Sequence, residues 1–156
     1  MAKLFGVVGP DVAVFGEKDF QQFRVVQLMT RDLAIPVEVV GAPTVRAPDG
    51  LALSSRNRYL DQDERARAPA VYRSLQQGAK RLLAGERDFA AIESAGSDTL
   101  RAAGMKVDYY SVRDADDLAP PRPDTREFVI LAAARLGGAR LIDNLRVPLL
   151  NPPPAG

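Results

Sequence analysis

Two stretches of this chain gather cations, hydroxyls and glycine into a few residues. The first is Phe15-Gly16-Glu17-Lys18-Asp19-Phe20-Gln21-Gln22, and the second is Asp49-Gly50-Leu51-Ala52-Leu53-Ser54-Ser55-Arg56-Asn57. Each follows a short apolar run, and such clusters at strand ends are where open α/β proteins hold anions. In the first, Gly16 lets backbone approach a ligand and Lys18 supplies a point charge for phosphate. The helix beyond it would add N–H donors and the positive end of its dipole. In the second, the Ser54 and Ser55 hydroxyls and the Arg56 guanidinium can grip a triphosphate. Arginine suits the charge that develops during phosphoryl or nucleotidyl transfer. Taken alone, each stretch reads equally as turn chemistry: a capping Asp beside a solvated Lys, or a Ser/Asn-rich turn before a helix. Gln21 and Gln22 open a helix, where a Gln either faces water or hydrogen-bonds a hydroxy acid. Arg58 reads as a solvated neighbour.

The residue inventory narrows the chemistry. The 156 residues include no histidine and no cysteine. That removes the commonest general acid/base, the commonest metal ligand, disulfides and thiolates. Lys, Arg, carboxylates, hydroxyls and backbone N–H groups remain, a set better suited to phosphate than to proton shuttling. A formal net charge of +1 gives no global field to gather nucleic acid or an anionic membrane. No apolar run approaches membrane-spanning length. The lack of cysteine fits a cytoplasmic home, and an apolar fraction of 46% supports a packed core.

The elements that must position these residues follow from spacing. Met1-Ala2-Lys3-Leu4-Phe5-Gly6-Val7-Val8 reads as the tail of an apolar helix stopped at Gly9-Pro10-Asp11, so the chain is expected to be cut from a larger protein. Val12-Ala13-Val14-Phe15 reads as a buried strand leaving tightly at Gly16. Asp19 caps a helix over about residues 20–32, with Phe20, Phe23, Val26 or Gln27, and Met29-Leu33 following helical spacing. Pro36 ends that element, and Val37-Glu38-Val39-Val40-Gly41 is a second strand. This order predicts a right-handed parallel βαβ unit whose edges normally sit within a larger sheet. An acidic start at residues 61–64 leads a helical pattern to Leu83, with Val71, Leu75, Ala79, Leu82 and Leu83 on one face. Pro69 should delay or kink it. Asp88 caps a second helix reaching about residues 103–104, weakened by Gly96. Residues 107–112 read as a strand and 114–124 as a solvated Asp- and Pro-rich loop. Residues 127–135 and 140–147 read as strands joined around Gly137-Gly138. Tyr109, Tyr110, Asp143 and Asn144 read as structural. The expected fold class is α/β. A fragment of a Rossmann-like parallel sheet (residues 1–46) precedes a small α+β domain with two helices and a three-stranded antiparallel sheet (47–150), then a disordered tail (151–156).

As a pair, residues 15–22 and the run Pro43-Thr44-Val45-Arg46 with Asp49 to Leu60 resemble the pantothenate synthetases, or pantoate–β-alanine ligases. Val107-Asp108-Tyr109 and Ala133-Ala134-Arg135-Leu136-Gly137 with Arg140 to Asn144 also look like that family's C-terminal region. The likeness covers essentially the whole chain and about the C-terminal half of the family's length. It implies a two-step synthesis of pantothenate for coenzyme A: ATP and pantoate give a pantoyl-adenylate and pyrophosphate, and β-alanine then displaces AMP. Position by position, it implies that Gly16, Glu17, Lys18 and Asp19 contact ATP and that Gln22 holds pantoate. Val45 would lie against the adenine. Leu53, Ser54, Ser55 and Arg56 would form the mobile loop on the phosphates, with Lys18, Ser54, Ser55 and Arg56 catalytic.

The resemblance also implies Mg²⁺, with its ligands outside this chain. Implied partners are ATP, pantoate and β-alanine, without nucleic acid or membrane, and a homodimer is left open. Positions 47 and 53 are Ala and Leu where the family shows Glu and Met. The family's His-x-Gly-His motif has no counterpart in a chain without histidine, so this chain alone is expected to be inactive. Two other readings compete: another adenylate-forming nucleotidyl transferase with the same mobile loop, and a non-catalytic nucleotide-binding or assembly module pairing through an exposed sheet edge.

Overall fold

The first helix, α1 (Ala2–Val8), ends at Gly9, whose left-handed backbone (φ 57°) lets its N–H reach the Phe5 carbonyl. The computed structural model describes residues 1–149; the tail expected at 151–156 lies outside the described residues. By its internal contacts the chain divides into two units, Met1–Thr44 and Val45–Gly156.

In the first unit, β1 (Val12–Gly16) and β2 (Glu38–Ala42) pair in parallel, with Val12 opposite Glu38 and Gly16 opposite Ala42. The crossover between them is α2 (Phe20–Asp32). It turns Phe20, Phe23, Val26 and Thr30 inward, so Val26 rather than Gln27 takes the third core position. Thr30 satisfies its buried hydroxyl by donating to the Val26 carbonyl at 3.1 Å. Phe5 of α1 packs edge-on against Phe15, with centroids 6.4 Å apart. The expectation of a buried first strand needs correction. Val12 and Val14 are 49% and 66% exposed, as is Val40 at 37%. The two strands pleat alternate side chains to opposite faces, and Phe15 meets α1 while these three valines stay open.

The second unit is built on three antiparallel strands in the order β3 (Lys106–Asp114), β4 (Glu127–Leu136), β5 (Ala139–Pro148). Gly137 and Gly138 form the two-residue turn between β4 and β5, and Gly137 has a positive φ of 52°. Phe128, Ile130, Ala132, Ala134 and Leu136 on β4 form one core with Val71, Leu75 and Leu82 of α4 (Ala70–Leu83) and Ile92 and Leu100 of α5 (Phe89–Ala102). Leu82 is buried whereas its neighbour Leu83 is 56% exposed, as helical phase demands. The first of the two expected helices is split. α3 (Gln62–Arg67), closed by a capping box between Asp61 and Glu64, stops before Pro69, which becomes the N-cap of α4. Proline lacks the N–H that would carry a helix through it. Asp88 caps α5 by accepting from the Ala91 amide.

Asp114 also departs from expectation. It is the last residue of β3 and is buried, not part of a solvated loop. Its carboxylate accepts from the Thr125 hydroxyl (2.7 Å), the Asp116 amide (2.8 Å) and Arg122 (3.3 Å). A buried carboxylate needs such partners.

Gly96 does more than weaken α5. A Cβ there would fall within the Tyr110 ring, and one at Gly78 of α4 would lie 2.8 Å from the Tyr110 hydroxyl oxygen. The two glycines let both helices close on one aromatic, whose hydroxyl donates to the Ser74 carbonyl at 2.8 Å. Burial pushes the Tyr110 phenol far above its ordinary value, so it stays a donor throughout the working range of pH. Replacing Gly96 by Ala gains about 1 kcal/mol of helix propensity, but overpacking costs about 1–3 kcal/mol. Gly96→Ala is therefore expected to lower the urea midpoint, and a raised midpoint would contradict this packing. Tyr110→Phe loses one buried hydrogen bond and should cost about 1 kcal/mol.

Candidate nucleotide-binding segments

The first motif is a strand-to-helix turn. Gly16 ends β1, and open space lies where its side chain would be. The Glu17 amide donates to the Ala42 carbonyl at 2.8 Å, extending the parallel ladder by one bond. Its side chain lies over Gly41, where an added Cβ would stand 2.5 Å from Glu17 Oε1 and 2.9 Å from the Phe23 ring. Asp19 caps α2 by accepting from the Gln22 amide at 3.2 Å. Gly16, Glu17, Lys18, Asp19 and Gln22 thus share one turn at the N-terminus of a 13-residue helix, with Lys18 half-buried and Gln22 exposed. The dipole and amides of such an end favour an anion.

The second motif hangs from a small hairpin. The Leu53 amide donates to the Val45 carbonyl (2.9 Å), Arg46 and Ala52 form an antiparallel bridge, and the Ala47 amide donates to the Leu51 carbonyl (2.9 Å). Between them Pro48 and Asp49 make the turn, and Gly50 closes it with φ 93°. The Gly50 amide donates to the Ala47 carbonyl at 2.8 Å, and Asp49 accepts from the Leu51 amide at 3.1 Å. An Ala at position 50 would need a strained backbone, and its Cβ would stand 2.5 Å from the Tyr72 ring.

Arg46 sits at the centre of this hairpin. Its guanidinium grips Asp143 through both terminal nitrogens (2.5 and 2.9 Å) and donates to the Gly50 (3.1 Å) and Asn144 (3.3 Å) carbonyls. It also stacks 3.8 Å from the centroid of Tyr72 on α4. The Asp143 side chain is only 3% exposed. At the other end of the hairpin, Arg65 of α3 pairs with Asp49 at 2.5 Å. The Arg65 hydrogen bond, seconded by the Leu51 amide, holds the Asp49 carboxyl below the usual carboxylate range. Both side chains of that pair are well exposed, so it adds little to stability.

Beyond the hairpin, Asn57 donates to the Ala52 carbonyl at 3.1 Å and begins to tie down a single 3-10 turn, Ser55–Tyr59. Ser54 caps that turn by accepting from the Arg56 amide at 3.2 Å. Val45, Leu53, Ser55 and Arg56 are exposed and Ser54 half-buried, so this segment displays hydroxyls and a guanidinium beside two open apolar side chains. Arg58 is exposed and donates to the hydroxyl of its neighbour Tyr59. Sequence reasoning named the displayed residues but not Arg46, Asp143 and Tyr72 as their support. A signal existed: Asp143 alternates with Leu141 and Leu145, which puts a carboxylate on the core-facing register of β5. Such a residue demands a cation.

The family model described as Pantoate-beta-alanine ligase matches residues 1–146. The chain belongs to the pantoate–β-alanine ligase family. It is 53% identical over 147 residues to a pantothenate synthetase of Pseudomonas savastanoi pv. phaseolicola, covering 94% of this chain and 52% of that protein. It is 56% identical over 149 residues to the pantothenate synthetase of Pseudomonas putida W619, covering 96% and 52%. Among solved structures it is similar to pantothenate synthetase from Thermus thermophilus, with a TM-score of 0.84, 46% identity, and coverage of 92% and 52%. It also resembles the Francisella tularensis pantoate-beta-alanine ligase complexed with beta-gamma ATP and beta-alanine, at a TM-score of 0.66, 26% identity, and coverage of 92% and 46%. The chain therefore spans about half the length of the ligases it matches.

For this ligase-family chain, the hairpin geometry predicts that Gly50→Ala destabilises the fold by about 1–3 kcal/mol. Urea unfolding checks this, and an unchanged midpoint would mean that position 50 does not need its positive φ.

Proposed function

We propose that this chain provides ATP- and pantoate-binding residues for the condensation of pantoate with β-alanine. The observation that carries the reading is the rigid hairpin displaying Ser54, Ser55 and Arg56 in a chain that belongs to the pantoate–β-alanine ligase family. In the first step a pantoate carboxylate oxygen attacks the α-phosphorus of ATP, and pyrophosphate leaves. In the second the β-alanine amine attacks the acyl carbon, loses a proton, and AMP departs with the former carboxylate oxygen.

Within this proposal Lys18 and Arg56 balance the charge that grows on the phosphate oxygens. The Ser54 hydroxyl accepts from the Arg56 amide, which orients its own hydrogen for donation to a phosphate oxygen, and Ser55 adds a second donor. The N-terminal end of α2 adds its dipole and further donors. Val45 lies against the adenine, Leu53 belongs to the loop on the phosphates, and Gln22 hydrogen-bonds pantoate. Replacement of the family's Met by Leu at position 53 keeps an apolar surface of similar volume.

The family resemblance also implies Mg²⁺. Among the described residues no three His, Cys, Asp or Glu side chains form a group that could hold a metal ion, so no step is assigned to one. The chain has no histidine to play the part of the family's His-x-Gly-His motif, and we propose that it binds nucleotide without turning substrate over by itself. A cytoplasmic location belongs to the same proposal and is supported by a composition without cysteine. No helix among the described residues is long and apolar enough to cross a membrane.

Calorimetric titration with ATP tests the reading. Saturable binding should weaken about tenfold or more in Lys18→Ala and Arg56→Ala, the loss expected for a charge-assisted hydrogen bond. No saturable binding, or equal binding by all three proteins, would contradict it.

A second reading, self-association through the first unit's sheet, is supported by the exposed valines at 12, 14 and 40. Light scattering should then report a dimer, and a strictly monomeric chain would exclude it.

A further inference from the structure

We propose that Arg46 is the positioning residue of the phosphate-binding segment: held by Asp143, it sets where Ser54, Ser55 and Arg56 are presented. The inference rests on the ATP-binding reading above and extends it to a residue whose polar contacts are to protein groups.

The coupling runs through consecutive bonds. Asp143 on β5 holds the guanidinium with two hydrogen bonds (2.5 and 2.9 Å), and the Asn144 carbonyl takes a third at 3.3 Å. Arg46 faces Ala52 across the hairpin bridge, and the Ala52 carbonyl accepts from the Asn57 side chain at 3.1 Å. The Asn57 amide donates in turn to the Ser54 carbonyl at 3.1 Å, closing the turn that carries Ser55 and Arg56. One strand of the sheet is thereby connected to the displayed serines through a single guanidinium. A second path leads through its 3.8 Å stack on Tyr72, whose ring also lies on Gly50.

The other attachments do not set orientation in this way. Leu51 is buried in the core and anchors the hairpin, but apolar burial is non-directional. The Asp49–Arg65 pair at the tip is exposed on both sides and is screened by solvent. A bidentate fork, by contrast, fixes both the distance and the plane of its partner, and lysine cannot reproduce either. Errors of about 1 Å in a positioned group weaken its action steeply. All polar contacts of Arg46 point into the protein, so its effect on a ligand must pass through the hairpin.

Amide hydrogen exchange and ATP titration on the full chain test this together, using Arg46→Lys, Asp143→Asn and Arg65→Ala. Arg46→Lys and Asp143→Asn should speed exchange at Ala47, Leu53 and Asn57 by about tenfold or more while β4 amides stay protected. ATP affinity should fall by a similar factor, and Arg65→Ala should change neither by more than about twofold. If Arg46→Lys loses β4 protection as well, the isosteric Asp143→Asn decides. Unchanged hairpin exchange, an equal response in Arg65→Ala, or undiminished ATP affinity in a chain with a loosened hairpin would each overturn the proposal. Absence of ATP binding by the unaltered chain would instead refute the functional reading, and hairpin exchange would still report whether Arg46 positions the segment.

Discussion

A carboxylate inside a core has to be neutralised where it stands, and Asp143 is such a carboxylate. It lies on β5 between Leu141 and Leu145, facing the helices, with 3% of its side chain exposed. Leaving it unpaired would cost more than most single contacts in the unit can return. Arg46 meets it, from a position 97 residues earlier in the chain. That requirement brings the segment at residues 45–53 back onto β5 and α4. The hairpin, the Tyr72 stack and the placement of Ser54 to Arg56 are all consequences of one buried charge finding its partner.

Glycine is the second recurring device, and it works by subtraction. Tyr110 occupies a notch that exists because Gly78 and Gly96 lack side chains, and Tyr72 lies on Gly50 for the same reason. Each arrangement trades helix propensity or backbone freedom for an aromatic seat with a hydrogen bond or a cation stack attached. The Tyr72 seat lies beneath the second motif. The first motif depends instead on the helix cap at Asp19 and on the extra ladder bond from Glu17.

What was legible in the sequence was local. Asp19, Asp61 and Asp88 mark helix starts because the capping bond spans three residues, and Gly137-Gly138 marks a hairpin because the turn itself demands that backbone. The parallel pairing of β1 and β2 followed from strand–helix–strand order. What was not legible depended on partners distant in the chain. Asp114 looked like loop because its polar neighbours were nearby, yet the turn folds Thr125 back over it. The valines of β1 looked buried because an apolar run does not say how many faces are covered. The members of the motifs could be named from their residue types, but the clamp that supports the second motif joins residues 46, 72 and 143, which no window spans.

The central claim is that Arg46 and Asp143 act as a pair. A double-mutant cycle with Arg46→Met, Asp143→Asn and the double variant, read by urea unfolding, tests it most directly. Arg46→Met alone should be severely destabilising, by about 3–5 kcal/mol, because it strands a buried carboxylate. The double variant should recover part of that loss, leaving a coupling of about 1–3 kcal/mol. Effects that add to within about 0.5 kcal/mol would mean that the two residues stabilise the protein independently, and the clamp would not be what holds the hairpin in place.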